Sequence, residues 1–260
     1  MLDIEAGVTK DHRLRDLLLV ALTVAAGAVD AISYFGLGKT FSAFMTGNIV
    51  FLGFGIANLR GPAVLPVLWA LCAFSVGTYV ALRLTTVCGQ YTGVWPRSVS
   101  ILLAMVALAE GGFQVVWSVT AGQPSTGRTV ALLVLFSLAM GIQTGAVRSL
   151  GVQGVFTTAG TFTLVAFVGS LAGSRSRDET PRLAGVLVGL VAGAVAGGLL
   201  FLHARIYAPV MPLAITVLVL IAGWAMQRRT QLPSELDNHR LSIGREPVLD
   251  TTISFRERHK

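Results

Sequence analysis

The chain has 260 residues, of which 53% are hydrophobic and only 13% charged, and its mean hydropathy of +0.71 lies far above that of a soluble domain. Its net charge of +7 comes from basic residues scattered over loop ends and tails. No basic stripe with interleaved aromatics occurs, so a nucleic-acid partner is excluded and the positive-inside rule accounts for the surplus.

Between Leu17 and Gln227 the only acidic residues are Asp30, Glu110, Asp178 and Glu179, so long runs can cross hydrocarbon without a charge. The N-terminal stretch 1–16 reads as a cytoplasmic tail. Lys10, Arg13 and Arg15 precede an apolar run ending in Ala26, Gly27 and Ala28, a pattern that resembles a secretory signal. The apolar stretch continues past that point, so an uncleaved first helix fits better.

Hydrophobic segments fall at about 17–36, 41–57, 64–84, 98–119, 129–147, 155–172, 183–204 and 209–227. They predict an all-α, polytopic helical membrane protein. Every backbone amide in lipid needs an internal partner, and the pattern does not alternate as barrel strands do. Breakers such as "NLRGP" at 58–62 and "GSRSRDETPR" at 173–182 mark loops. From Arg228 to residue 260 the composition turns polar, which reads as a disordered cytoplasmic tail.

The membrane domain, 17–227, repeats itself. A shift of 113 lays Gly47 on Gly160, Asp30 on Gln143 and Asn48 on Thr161, giving repeats at about 17–119 and 129–227. Segments two and six are short, about 25 Å as helices, and polar at their starts. If both span, eight crossings and parallel halves result. Cytoplasmic loops then hold Lys10, Arg13, Arg15, Arg60, Arg128, Arg175, Arg177 and Arg182, eight against five outside. If both re-enter, six crossings and inverted halves result. The inside gains Arg83, Arg97 and Arg148 and loses Arg60 and Arg128, nine against four. Both arrangements put the N- and C-termini in the cytoplasm, and the charge difference does not choose between them.

Polar residues at membrane depth are the candidates for chemistry. Asp30 is either a proton, cation or substrate site, or a helix-end carboxylate near the outer interface, or a protonated carboxyl holding a neighbouring helix. Glu110, followed by Gly111 and Gly112, resembles an acid beside a loosened helix, an arrangement found at transporter ion sites; the rival reading is a hydrogen bond across a close helix contact. Thr46, Gly47 and Asn48 form a hinge-like polar element, with Gly160 and Thr161 as counterparts, either lining a path or gluing helices together. Gly185, Gly189, Gly193 and Gly197 recur every four residues and predict a smooth packing face, within the protomer or across a homodimer. Trp69, Trp95, Trp117 and Trp224 fall near segment ends and are expected in aromatic belts. Cys72 and Cys88 match no metal or redox spacing.

Phosphate-loop, HExxH and nucleophile-elbow motifs are missing. No catalytic, metal-binding or cofactor role is expected.

The stretch Gly27–Ala57 resembles the YoaK-like family of uncharacterised bacterial inner-membrane proteins. The resemblance is carried by Asp30, Ser33 and Tyr34 at a helix end, then Leu37-Gly38, then "AFMTGN" at 43–48. It extends over roughly 14–226, including Gly141–Thr163, although Ala159 stands where such proteins tend to carry a threonine ahead of Gly160-Thr161. It implies a multi-pass protein of the bacterial inner membrane and adds Tyr34 to the candidate pathway, but implies no activity. The residues point to a small secondary transporter or channel-like permease for a small solute or ion. Its path would be built from Asp30, Thr46, Asn48, Glu110, Gln143 and Thr161, with coupling through protonation of Asp30 or Glu110. The alternative is a non-transporting accessory or sensor protein in which the same groups are structural.

Overall fold

The computed structural model describes residues 2–59, 61–87, 94–152, 158, 160–174, 176 and 179–243. It contains eight α-helices and, among the described residues, no strand: α1 (Leu2–Gly36), α2 (Met45–Ile56), α3 (Val64–Val87), α4 (Arg97–Val119), α5 (Thr126–Ser149), α6 (Gly160–Leu171), α7 (Thr180–His203) and α8 (Val210–Ile243). Six of them are long and apolar enough to cross a membrane; α2 and α6, at 12 residues each, are not. Helix α8 continues past the point where the composition turns polar, and residues 244–260 lie outside the described part.

Close glycine contacts give the helix directions. Gly189 packs on Val20, Gly193 on Val24 and Gly197 on Ala28, so contacts advance along α7 and α1 together and the two helices are parallel. Likewise Phe74 meets Gly141 and Ala81 meets Gly145, so α3 and α5 are parallel. Helices α4 and α8 run antiparallel. Ser100 bonds Gln227 at one end, and at the other Trp117 Nε1 donates to the Arg205 carbonyl at 2.8 Å. Gly36 lies against Trp117 and Phe201, which brings the ends of α1, α4 and α7 to one end of the bundle, the top. Helices α3, α5 and α8 descend to the opposite end, the base.

The order is therefore up for α1, down for α3, up for α4, down for α5, up for α7 and down for α8. Neither α2 nor α6 reverses that order, so each returns to the end it came from. Six long helices form two inverted halves, and the eight-crossing arrangement with parallel halves is excluded.

The pairing of elements repeats as well. Helix α1 packs on α7 as α5 does on α3, α8 on α1 as α4 does on α5, and α6 on α7 as α2 does on α3. Two pairs of equivalents, α4 with α8 and α1 with α5, meet each other at the centre. There Phe113 and Phe136 stack with centroids 3.5 Å apart, flanked by the buried Trp117.

The constant shift of 113 needs correction. Matched contacts pair Gly27 with Gly141, a shift of 114, and Gly77 with Gly193, a shift of 116. The burial patterns of α2 and α6 coincide at 115, whereas those of α4 and α8 coincide at 113. Asp30 thus corresponds to Thr144, not Gln143, and Asn48 to Thr163, not Thr161. Connecting segments of unequal length slide each helix separately, so one shift aligns only α4 with α8.

The glycine face is spent inside the protomer. A Cβ at Gly193 or Gly197 would collide with the backbone of α1, so this face is not free for a second copy and the homodimer expected through it is not supported. Glycine replaces side-chain separation by direct backbone contact, the main source of packing energy between helices in lipid. Trp95 and Trp117 are likewise core residues, whereas Trp69 and Trp224 face outward as a belt would require. Cys72 is exposed, and Cys88 lies outside the described residues.

Candidate functional site

After Gly36 the chain turns back toward the middle of the bundle. Asp30 Oδ1 accepts the backbone N–H groups of Ser42 at 2.9 Å and Ala43 at 2.7 Å, and Ser33 and Ser42 hydroxyls meet at 2.7 Å. Asp30 is six residues before the end of α1, so residues 37–43 dip about 9 Å below it. Helix α2 then rises to the top, where Gly55 abuts Val64 at the start of α3. This is a re-entrant element. The Asp30 carboxyl sits at the positive end of a helix that begins at membrane depth, where its N–H groups have no water to turn to.

Asn48 completes the fastening. Its Oδ1 accepts the Phe41 N–H at 3.0 Å and its Nδ2 donates to the Phe41 carbonyl at 2.7 Å, so one fully buried carboxamide satisfies both backbone groups of a residue in the dipping segment. Phe41 stacks between Tyr34 and Phe51, with centroids at 5.2 and 5.7 Å. A side chain at Gly47 would run into the rings of Phe44 and Phe41, which explains the glycine as room for that aromatic column. Thr46 is exposed.

The described residues of the second half place other groups at the corresponding positions. Thr144, five residues before the end of α5, meets the Thr158 hydroxyl at 2.9 Å just ahead of α6. Gly160 lies against Leu190, midway along α7. The far end of α6 returns to the base, where Thr180 at the start of α7 donates to Ser170 Oγ at 3.0 Å. Thr163 is the fully buried residue of α6 that matches Asn48, while Thr161 faces outward.

Glu110 is a separate matter. It is fully buried on α4 and faces the Thr216 hydroxyl of α8, yet neither carboxyl oxygen nor that hydroxyl forms a hydrogen bond of ordinary geometry. Helix α4 runs unbroken through Gly111 and Gly112, contrary to the loosened helix expected there. Two more fully buried polar atoms on α5, Ser137 Oγ and Gln143 Oε1, are also without a hydrogen bond. Gln143 Nε2 donates to the Leu22 carbonyl at 3.2 Å and so ties α5 to α1. Native proteins leave few buried polar atoms unsatisfied, and each costs about 1–3 kcal/mol.

The sequence candidates therefore divide into two sets. Asp30, Tyr34, Gly47 and Asn48 come together as the frame of the α2 re-entrant element, with Asp30 and Asn48 spent on backbone groups. Glu110 and Gln143 lie on the central helices, while Thr46, Gly160 and Thr161 join neither set. Sequence reasoning missed Ser137, Thr144, Thr163 and Thr216. Ser137 could have been found as the first member of a small-residue series with Gly141 and Gly145, but Thr216 is a lone hydroxyl in an apolar run and carries no signal. Among the described residues no group of three His, Cys, Asp or Glu could hold a metal ion.

No solved structure matches the chain. A transmembrane protein named YoaK from Bacillus subtilis (strain 168) is 36% identical over 160 residues, covering 61% of this chain and 68% of its own length. The family model described as "Protein of unknown function (DUF1275)" matches residues 18–222, and the chain belongs to that family of transmembrane proteins.

Proposed function

We propose that the protein is a small secondary transporter or channel-like permease whose path follows the contact between its two inverted halves, with Glu110 as the polar centre. One observation carries this reading: a fully buried carboxyl that faces the Thr216 hydroxyl, short of a hydrogen bond of ordinary geometry, across the α4–α8 contact, where equivalent helices of the two halves meet. A carboxyl in that position is costly in hydrocarbon and is kept where it serves a proton, an ion or a solute. Inverted repeats with short half-helices supply the rest, because two halves of one design can rock about a fixed centre and expose it to either side. Protonation of Glu110 is the coupling step in this scheme.

By chain order the segments at the base hold nine Lys and Arg up to Arg182, against four at the top. By the positive-inside rule this surplus supports a cytoplasmic base, with both termini, in a bacterial inner membrane. The partners are the lipid bilayer and a small solute or ion. No enzymatic step is part of the reading.

The test uses proteoliposomes loaded with a pH-sensitive dye and challenged in turn with glycerol, urea, acetate, ammonium and glycine. The proposal predicts that at least one solute moves, measured by vesicle swelling or a proton flux, at least tenfold faster than in empty vesicles. It also predicts that Glu110→Gln removes the increment. Fluxes equal to those of empty vesicles throughout the panel would count against it. The hydrogen bonds of Asp30 and Asn48 favour the accessory or sensor reading for those two residues, and in that case Glu110→Gln would change stability while no solute moved.

A further inference from the structure

At the base of the bundle, between the start of α4 and the descending end of α8, lies a cleft of about 580 Å³. Its outer end carries Arg97, the first residue of α4, and Arg228. Among the described residues neither guanidinium meets a carboxylate, and no acidic residue lines the cleft. The Arg228 guanidinium lies 3.5 Å above the Trp224 ring, which holds it at the mouth. Behind them, Trp95 Nε1 donates to Ser100 Oγ at 3.1 Å and Ser100 donates to Gln227 Oε1 at 3.3 Å, a buried polar floor.

One to two turns further into the bundle the walls change character. They become Ile101, Ala104, Leu220 and Ile221, and Ile101, Ile221 and Trp224 are each about half exposed, so the cleft opens sideways. Two cations at the end of the helices, followed inward by an apolar trough, reproduce the order of groups along one phospholipid in its leaflet. Arginine forks match phosphate oxygens in pairs, and basic pockets between membrane helices favour anionic headgroups.

We infer that this cleft binds an anionic phospholipid, with its phosphate on Arg97 and Arg228 and an acyl chain along Ala104 and Leu220. The apolar trough selects a lipid over a soluble phosphate, and the paired charge selects an anionic headgroup over a zwitterionic one. The inference rests on the membrane fold and not on the transport proposal.

Trp224 reports occupancy directly. The full chain carrying Trp69→Phe, which removes the other outward tryptophan, is titrated in micelles with brominated phosphatidylglycerol or brominated phosphatidylcholine while tryptophan quenching is followed. Phosphatidylglycerol should reach half-quenching at about a tenfold lower mole fraction. R97Q/R228Q should abolish that preference, R97K/R228K should keep part of it, and A104W should weaken binding with both charges in place. Millimolar glycerol phosphate should not displace the lipid. Equal quenching by the two lipids, a preference that survives R97Q/R228Q, or displacement by glycerol phosphate would each overturn the assignment. So would a Trp224 shielded from both lipids, because the cleft would then be filled by protein.

Discussion

Ahead of α2 the Asp30 carboxyl accepts two backbone N–H groups and Asn48 clamps Phe41, whereas at the matching place ahead of α6 the Thr144 hydroxyl meets Thr158. The scaffold around them is closely matched, since Gly27 and Gly193 pack α1 on α7 as Gly141 and Gly77 pack α5 on α3. Symmetry therefore resides in backbone packing, while among the described residues a carboxyl in the first half corresponds to a hydroxyl in the second. The conspicuous acid of the first motif is thus explained by the fold, and the central carboxyl, Glu110, is left as the group that the fold does not explain.

The largest effect should come from breaking what the halves share. Gly193→Leu and Gly77→Leu each force a side chain into a neighbouring helix backbone, a cost of about 3 kcal/mol or more. Both should prevent recovery of a monodisperse folded protein by size exclusion. If one is tolerated and the other is not, the halves are not equivalent in packing.

Next comes the fastening itself. Asp30→Ala leaves the Ser42 and Ala43 N–H groups without their acceptor, and should cost about 3 kcal/mol. Thr144→Val removes one hydroxyl pair and should cost about 1 kcal/mol. Thermal unfolding in detergent measures both, and equal losses would erase the proposed difference. Asn48→Ala falls between them at about 2 kcal/mol, because a buried N–H and a buried carbonyl lose their partner together. The smallest effects belong to Thr46→Ala and Thr161→Ala, both outward-facing; each should lie within about 0.5 kcal/mol of the parent protein. A larger loss at either would show that the outward threonines are engaged.

Much of the architecture can be read in the residues. Eight hydrophobic segments with breakers between them become eight helices, and the two short ones become the half-helices. Their choice between crossing and re-entering is hidden because it depends on where the chain turns back, and the charge ledgers of nine to four and eight to five are too close. The constant repeat shift fails because connecting segments differ in length by one to three residues, which leaves hydrophobic blocks aligned while moving Asp30 from Thr144 to Gln143. The role of Asp30 is hidden for another reason: its partners are backbone N–H groups, which every residue but proline carries. The glycine series announces close packing, but its partner, α1, answers with one glycine, Gly27, beside Val24 and Ala28, and so carries no series of its own.

The proposed transport path requires the Glu110–Thr216 contact to become water-accessible as the halves rock. The direct measurement is the reactivity of Thr216→Cys, in a Cys72→Ser, Cys88→Ser background, toward a small membrane-impermeant thiol reagent added to either side of sealed vesicles. Thr216 is fully buried in this conformation, as is Leu22 on α1, so Leu22→Cys is the control. Thr216→Cys should react from at least one side at least tenfold faster than Leu22→Cys. If Thr216→Cys is as inert as Leu22→Cys from both sides, no path opens at Glu110 and the permease account is contradicted.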